Sequence, residues 1–526
     1  MEPKRHLLLD MDLWVCQELN ERSVRLGVPR SHSPESKEVS MVGIVAYGAY
    51  LPRYRLERKT AAKAMAWINP AVWGLAGGEK AVAGADEDAV TLAAAAARNA
   101  CRFRVEPACT ALFAASCTFP YGERQNAAIL REALSLPEGA LAVDVTGSTR
   151  AGTSAVLAAA AHVSSGASSQ ALAVASDARR AKMGSAEELL YGDAGAALLL
   201  GREGVVAELV GSYGLSADFP GPLRESERKL ARSWEERWIR DEGYLSLIPK
   251  AVKAYLAQAR MAPEAFSTVI YPCPYPREHA VIGAKLGLAP DRIADPLAAQ
   301  VGDTGAAHPL LMLCRALESA SPGSHILVVG YGSGVDVLHF RITDAARSFQ
   351  PAWTFEALAA RKAVLAPYEK AAAFRELIPV ETGLRGEFQA ETPLSVQWRY
   401  RRAILGLEGT RCRRCGTPQF PPQRICAVGE CQAVDETEPY LFSDKPARIF
   451  SYTGDNLAFS LDPPQIYGIV DFEGGGRMML DFTDCALEAI RVDQPVELHL
   501  RRKYHDAQRG VHTYFWKAVP VESAGR

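Results

Sequence analysis

Five short runs of almost unbroken apolar residues constrain this chain more than any other feature. They are ALFAASCTF (111–119), ALAVASD (171–177), AALLLG (196–201), TVIYPCP (268–274) and HILVVGYGSG (325–334). A strand with one wet face alternates apolar and polar residues, so strands apolar on both faces must be covered on both. Helix-like stretches lie between these runs. DEDAVTLAAAAARNAC places acidic groups in its first turn, where they complement the helix dipole. AEELLYGDAG and HPLLMLCRALESA continue the alternation, and VGIVAYGAYL opens it at residue 42. The pattern predicts an α/β domain over 41–343, with helices on both faces of a mixed or parallel sheet.

The pattern changes twice further along. Residues 344–400 are helix-prone, charged and interrupted by Pro and Gly, which predicts a connector packed partly on the first domain. From residue 401 to 440 the dominant feature is CRRCGTPQFPPQRIC followed by AVGEC. Cys412 and Cys415 form a CxxC knuckle, and Cys426 and Cys431 supply a second, wider pair. Two thiolate pairs separated by a loop suit tetrahedral zinc in a small ribbon. The alternative, redox CxxC chemistry, expects a thioredoxin-like helical setting that is missing from the pattern. Residues 441–522 then alternate strictly: ARIFSYTG, QIYGIVDFE, RMMLDFTD, QPVELHLRRKYH and VHTYFWKAVPV predict a five-stranded closed barrel. Within it LHLRRKYH reads as a solvated edge strand, protected by its charges.

Bulk properties narrow the function. The 526 residues are 48% hydrophobic and 23% charged, with a formal net charge of −2. No global field draws such a chain to nucleic acid or to an anionic membrane, and no apolar run is long enough to span a bilayer. Eleven cysteines, four of them clustered, fit a reducing cytoplasm with one metal site better than a disulfide framework. Residues 1–40 read as an N-terminal extension with one amphipathic helical stretch, LLLDMDLWVCQELNERSVRL, ahead of a polar linker; a loose tail or a start codon placed too early is the expectation.

One junction bears directly on chemistry. AVDVTGSTRAGTSAVLAAAA (142–161) reads as a strand, a turn and a helix of small side chains. The start of a buried helix favours an anion, so a nucleophilic thiol would gain most there. The chain offers Ser148, Thr149 and Arg150.

Four segments together resemble hydroxymethylglutaryl-CoA synthase, of the thiolase superfamily: GGEKAVAGADEDAVTLAAAAARNA (77–100), AASCTFPYGERQNA (114–127), VDVTGSTRAGTSAV (143–156) and LVVGYGSGVDVLHF (327–340). The cysteine ribbon with SYTG…DPPQIYGIVDFEGGGRMM is similar to the zinc-ribbon/OB-fold family associated with acyl-CoA enzymes. The resemblance implies a thiolase-like layered αβαβα domain of two related halves, then a zinc ribbon and a small all-β OB-fold barrel. It also implies a CoA thioester ligand, a homodimer, and a possible separate thiolase subunit as partner.

The family's chemistry uses a cysteine to carry the acyl group, a glutamate as acid/base and a histidine for the second substrate. Carried over segment by segment, these roles fall on Thr149, Cys117 and Pro272, with Cys273 beside the last. All three positions depart from the family pattern. Cys117 or Cys273 is then a candidate relocated nucleophile, with His308 (in GDTGAAHP) as base and Thr149 at the helix start. The bland readings are buried thiols, a small packing Thr and a helix-capping His. Tyr121, Asp303 and Tyr331 are candidates to orient substrate or donate protons. Arg150, and the group Arg179, Arg180 and Lys182, are candidates to pair with CoA phosphates. Gly332 and Gly334 would let the backbone approach a thioester carbonyl, with their amides as oxyanion donors.

Two functions follow from different classes. One is an acyl-CoA enzyme making or breaking a carbon–carbon bond by Claisen, aldol or retro-aldol chemistry without the usual Cys/Glu/His set. The other is a non-catalytic acyl-CoA-binding scaffold that docks a separate thiolase. Single-strand nucleic-acid binding by the barrel is disfavoured by the acidity of the chain.

Overall fold

The structure is a computed structural model, and residues 41–226, 228–383 and 392–521 are described. The extension expected at 1–40, with its amphipathic helix, lies outside the described residues.

Nine strands form the large sheet: β1 (Gly43–Tyr50), β2 (Cys109–Ala115), β3 (Leu141–Val145), β4 (Gln170–Ala178), β5 (Asp193–Gly201), β6 (Ala207–Ser216), β7 (Thr268–Ile270), β8 (His325–Tyr331) and β9 (Gly334–Ile342). Their spatial order is β7-β8-β9-β6-β1-β5-β4-β2-β3. Pairs at the two outer ends are parallel: β7 with β8, and β4 with β2 and β2 with β3. All pairs toward the middle are antiparallel. The two halves therefore follow a related pattern, one of them with an additional parallel strand, and their sheets join at the pairs Gly43↔Glu208 and Ile44↔Ala207.

Three helices position the site. α1 (Ala89–Ala100) is capped by a reciprocal box between Asp88 and Thr91, and all twelve of its residues are buried. α2 (Ala151–Ser164) touches β4 and β2 of one half and β8 and β9 of the other. α3 (His308–Leu317) packs on α2 and also meets both halves. This is the layered arrangement, with two helices enclosed between sheet halves. It explains the run of small residues in α2: a Cβ on Gly152 would stand 2.1 Å from the carbonyl oxygen of Ala306.

Two local expectations differ. The predicted helix AEELLYGDAG stops at Leu190, because Asp193 onward enters β5. The connector is also more deeply embedded than a partly packed linker: Phe355, Tyr368, Ala371 and Phe374 are buried, and Arg375 pairs with Asp193 at 3.1 Å.

Beyond the connector, Glu408–Cys412, Pro418–Gln419 and Thr437–Leu441 form a three-stranded ribbon sheet. The barrel strands follow: β10 (Ala447–Asp455), β11 (Gln465–Phe472), β12 (Arg477–Asp481), β13 (Pro495–Asp506) and β14 (Val511–Pro520). Their order is β12-β11-β10-β13-β14, all antiparallel, and a bridge from Phe482 to Ala518 draws the two ends together. Among the described residues no helix is long and apolar enough to cross a membrane.

Candidate functional site

The turn TGSTR brings β3 into α2 and locks against the loop between β8 and β9. Thr149 Oγ1 donates to the carbonyl of Tyr331 at 2.7 Å, and Ser148 Oγ donates to the carbonyl of Gly332. Gly332 is required here. Its φ is +150°, and a Cβ would lie 2.2 Å from Thr149 Oγ1 and 2.7 Å from Ser148 Oγ. Its amide already donates to the carbonyl of Gly334 at 2.9 Å, so the oxyanion role expected of Gly332 is taken up by the turn itself. Gly334 lets the strand approach Leu215, whose carbonyl oxygen would be 2.0 Å from a Cβ. Arg150 is likewise committed: it pairs with Asp336 at 3.2 Å and donates to Leu215 O and Ser216 Oγ. Asp336 in turn accepts from Thr153 and Ser154 on α2. The expected phosphate contact of Arg150 is replaced by an internal tie.

A second group centres on the ion pair of Arg179 and Asp303, 2.6 Å apart, with the guanidinium 3.4 Å above the ring of Tyr191. Buried Asp177 organises the loop beside it, accepting from Ser116 Oγ, Thr118 Oγ1, the Cys117 amide and the Ala306 amide, each at 2.8 Å. Asp303 acts electrostatically on Cys117, Cys273 and His308, so these three expected residues share one neighbourhood.

Neither thiol is poised as a nucleophile. Burial pushes Cys117 far above the ordinary thiol range, Asp177 adds to this, and Arg179 and Arg224 oppose it without prevailing. Burial pushes Cys273 up to about 12, and its thiol faces the carbonyl of Tyr275. His308 is neutral because burial lowers its pKa. Its Nε2 donates to Pro296 O at 2.8 Å, while Nδ1 faces the amide and hydroxyl of Thr304. Accepting from that amide assigns the Nε2–H tautomer, and both nitrogens are engaged.

Tyr331 differs. Its ring packs on Tyr244 with centroids 4.3 Å apart, and its buried hydroxyl has no hydrogen-bond partner among the described residues. Burial raises its pKa, with Cys273 adding to the effect. Tyr244 belongs to a π-helical stretch, Ile239–Leu247, a conformation frequent at functional sites.

Tyr121 is turned toward the barrel. It accepts from the His512 amide at 2.8 Å and from Arg124 at 2.7 Å. It marks a seam that residue-level reading of the sequence missed. Arg501, expected on a solvated edge strand, is 0% exposed. It reaches Asp484 at 2.7 Å, Tyr50 Oη at 2.9 Å, Glu87 at 3.2 Å and Asp86 at 3.7 Å. Lys517 also binds Asp86, and Tyr514 donates to Asp88. The acidic run DED therefore serves both as a helix start and as the counter-charge of the barrel. Acidic residues opening a helix have an obvious local use, and that obscured the second one.

The ribbon cysteines converge as their spacing predicts. The sulfurs of Cys412, Cys415, Cys426 and Cys431 all lie within 4.8 Å of one another, with Cys415–Cys426 at 3.5 Å and Cys412–Cys431 at 3.8 Å. A zinc–sulfur distance of about 2.3 Å gives tetrahedral sulfur separations of about 3.8 Å, so this donor set fits zinc.

Comparison with known proteins agrees with this architecture. Residues 442–501 match the family model described as ChsH2, C-terminal OB-fold domain. Hydroxymethylglutaryl-CoA synthase of Methanopyrus kandleri is 32% identical over 317 residues, covering 58% of this chain and 88% of that protein. That of Pyrococcus horikoshii is 30% identical over 319 residues, covering 59% and 89%. Among solved structures, MvaS in complex with 3-hydroxy-3-methylglutaryl coenzyme A superposes with a TM-score of 0.57 at 22% identity, over 67% of this chain and 94% of that one. 3-Oxoacyl-(acyl carrier protein) synthase III from Pseudomonas aeruginosa gives a TM-score of 0.51 at 20% identity, over 58% and 99%. The sheet halves enclosing α2 and α3 define a thiolase-like α/β protein that carries an OB-fold barrel. Within that class, the chain belongs to the hydroxymethylglutaryl-CoA synthase family.

Proposed function

We propose that this chain acts on a CoA thioester, making or breaking a carbon–carbon bond in the aldol or retro-aldol sense, without an acyl-cysteine intermediate. The observation that carries this reading is the pairing of Thr149 with the β8–β9 loop at the start of α2, beside two thiols that burial keeps protonated. A covalent route needs a thiolate, and this environment opposes one. Retro-aldol cleavage needs instead a base for a hydroxyl proton and a donor for the enolate of the thioester. Tyr331 supports the second role, because its hydroxyl is neutral, buried and unpartnered. The donor set of the four ribbon cysteines supports a structural zinc, and the half-exposed strand β3 at the end of the sheet supports a homodimer.

One observation favours the scaffold reading: His308 has both nitrogens occupied, which leaves it no free base position. In that case the chain binds an acyl-CoA and docks a separate thiolase.

The test is incubation of the zinc-loaded protein with acetyl-, acetoacetyl- and β-hydroxyacyl-CoA, following intact mass and small-molecule products together. Cleavage or condensation products without a protein adduct are expected. An adduct on the unaltered protein that disappears in Cys117→Ala or Cys273→Ala would overturn the reading. Tight thioester binding with no turnover would leave the scaffold.

A further inference from the structure

At the seam beside Tyr121, three cations converge on one carboxylate. Arg180 lies 2.8 Å from Glu376, Arg502 of the barrel 3.2 Å and Lys229 3.3 Å. Among the described residues of this cluster, one negative charge against three leaves an excess of two positive charges. Two imidazoles face the same place. His505 and His512 are cross-strand partners on β13 and β14, with rings stacked 4.1 Å apart at 11°. The Nδ1 atom of His512 is buried and lacks a hydrogen-bond partner among the described residues. Burial lowers the pKa of both; Arg502 and Lys229 lower both further, Arg180 adds to the effect at His505 and His505 to that at His512, while Glu376 opposes it at both. A buried polar atom without a partner carries a penalty that a ligand would relieve.

We propose that Arg180, Lys229, Arg502, His505 and His512 form a seat for a phosphate ester, shared between the α/β layers and the barrel, and that it holds the nucleotide end of the CoA thioester. A phosphate dianion matches the excess charge and accepts from several donors at once. The seat is linked to the reaction region through one segment. Arg224 donates to the carbonyl of Cys117 at 2.6 Å, and five residues later Lys229 reaches Glu376. The barrel thus contributes directly to ligand binding. This inference rests on the CoA-thioester reading above.

Calorimetry on the full chain tests it, with three probes: acetoacetyl-CoA, adenosine 3′,5′-bisphosphate, and acetoacetyl-pantetheine, which lacks the nucleotide. Lys229 is exposed, so Lys229→Glu leaves the fold intact. It is expected to weaken the first two probes by about tenfold or more, while the pantetheine thioester binds as before. Arg180→Gln and His512→Leu should act in the same direction, and added salt should narrow the gap. If the unaltered protein binds acetoacetyl-CoA but all three variants stay within about twofold of it, the seat is wrong and the CoA reading stands. Equal affinity for the CoA and pantetheine thioesters overturns the seat in the same way. If neither thioester binds, both inferences fall together.

Discussion

Arg501→Met removes one charge from a sealed junction and retains most of the side-chain volume. Arg501 and Lys517 of the barrel face Asp86 and Glu87 from the loop before α1, together with Asp484 of the barrel itself. Two cations therefore face three carboxylates, and the substitution leaves one cation for three. Glu87 is buried and, among the described residues, retains only the Tyr50 hydroxyl and the Gly84 amide as donors. Breaking a buried ionic group by deleting one partner costs about 3–5 kcal/mol, whereas the volume-conserving part of the change costs under about 1.5 kcal/mol. Because Arg501 joins the barrel to α1, the loss should appear as opening of the seam. Hydrogen exchange reads this directly, and a global melt of so large a chain does not report a two-state energy. Amides of α1 and β13 are expected to exchange about 10²–10³ times faster, together, at pH 7. Adding Glu87→Gln to Arg501→Met should recover part of the protection, since a neutral amide tolerates the site better than an unpaired carboxylate. Acceleration below about fivefold, or no recovery in the double variant, would refute the claim that this charge cluster holds the seam.

Three further outcomes are expected. Gly332→Ala should lower the melting temperature through a loss of about 2 kcal/mol, because its Cβ meets Thr149 and Ser148; adding Thr149→Ala should restore part of it, and additive losses would argue against the contact. Elemental analysis should find about one zinc per chain, and Cys426→Ser should lose the metal and expose the ribbon amides to exchange while those of α2 stay protected. His339 is held neutral, its pKa lowered to about 4 by burial and by His325, with Nδ1 against Tyr255 Oη at 2.7 Å and Nε2 against His325 at 2.8 Å. Its folded value lies below the unfolded one near 6.5, so the unfolded chain binds the proton first. The stability it contributes is present above pH 6.5 and is lost as the pH falls toward 4, on the order of 2 kcal/mol. His339→Leu should start lower and show a shallower acid slope in urea titrations; an unchanged slope would contradict this.

What the sequence discloses depends on how far apart the interacting residues lie along it. The cysteine quartet is legible because metal ligation is set by spacing within twenty residues, and the sulfurs meet as that spacing requires. The apolar runs become sheet strands because burial on both faces leaves a local mark. The five barrel strands fall on the predicted segments for the same reason. The misreadings share a different cause. LHLRRKYH is too charged to look buried, yet Arg501 is buried because its counter-charges Asp86 and Glu87 stand some four hundred positions earlier. Arg150 looks free for a phosphate until Asp336 closes on it from β9. His308 looks like a base until Pro296 and Thr304 take its two nitrogens. Tyr331 shows the converse case. Its hydroxyl is notable only because the surrounding Tyr244 and π-helical turn bury it without supplying a partner. Charged and polar side chains can satisfy themselves with any element the fold brings near, so a single sequence identifies the candidates and tertiary structure determines which remain available for chemistry. Here Tyr331 Oη and His512 Nδ1 are two of several buried polar atoms left without a partner among the described residues, and they are the two that the proposed thioester would engage at its opposite ends.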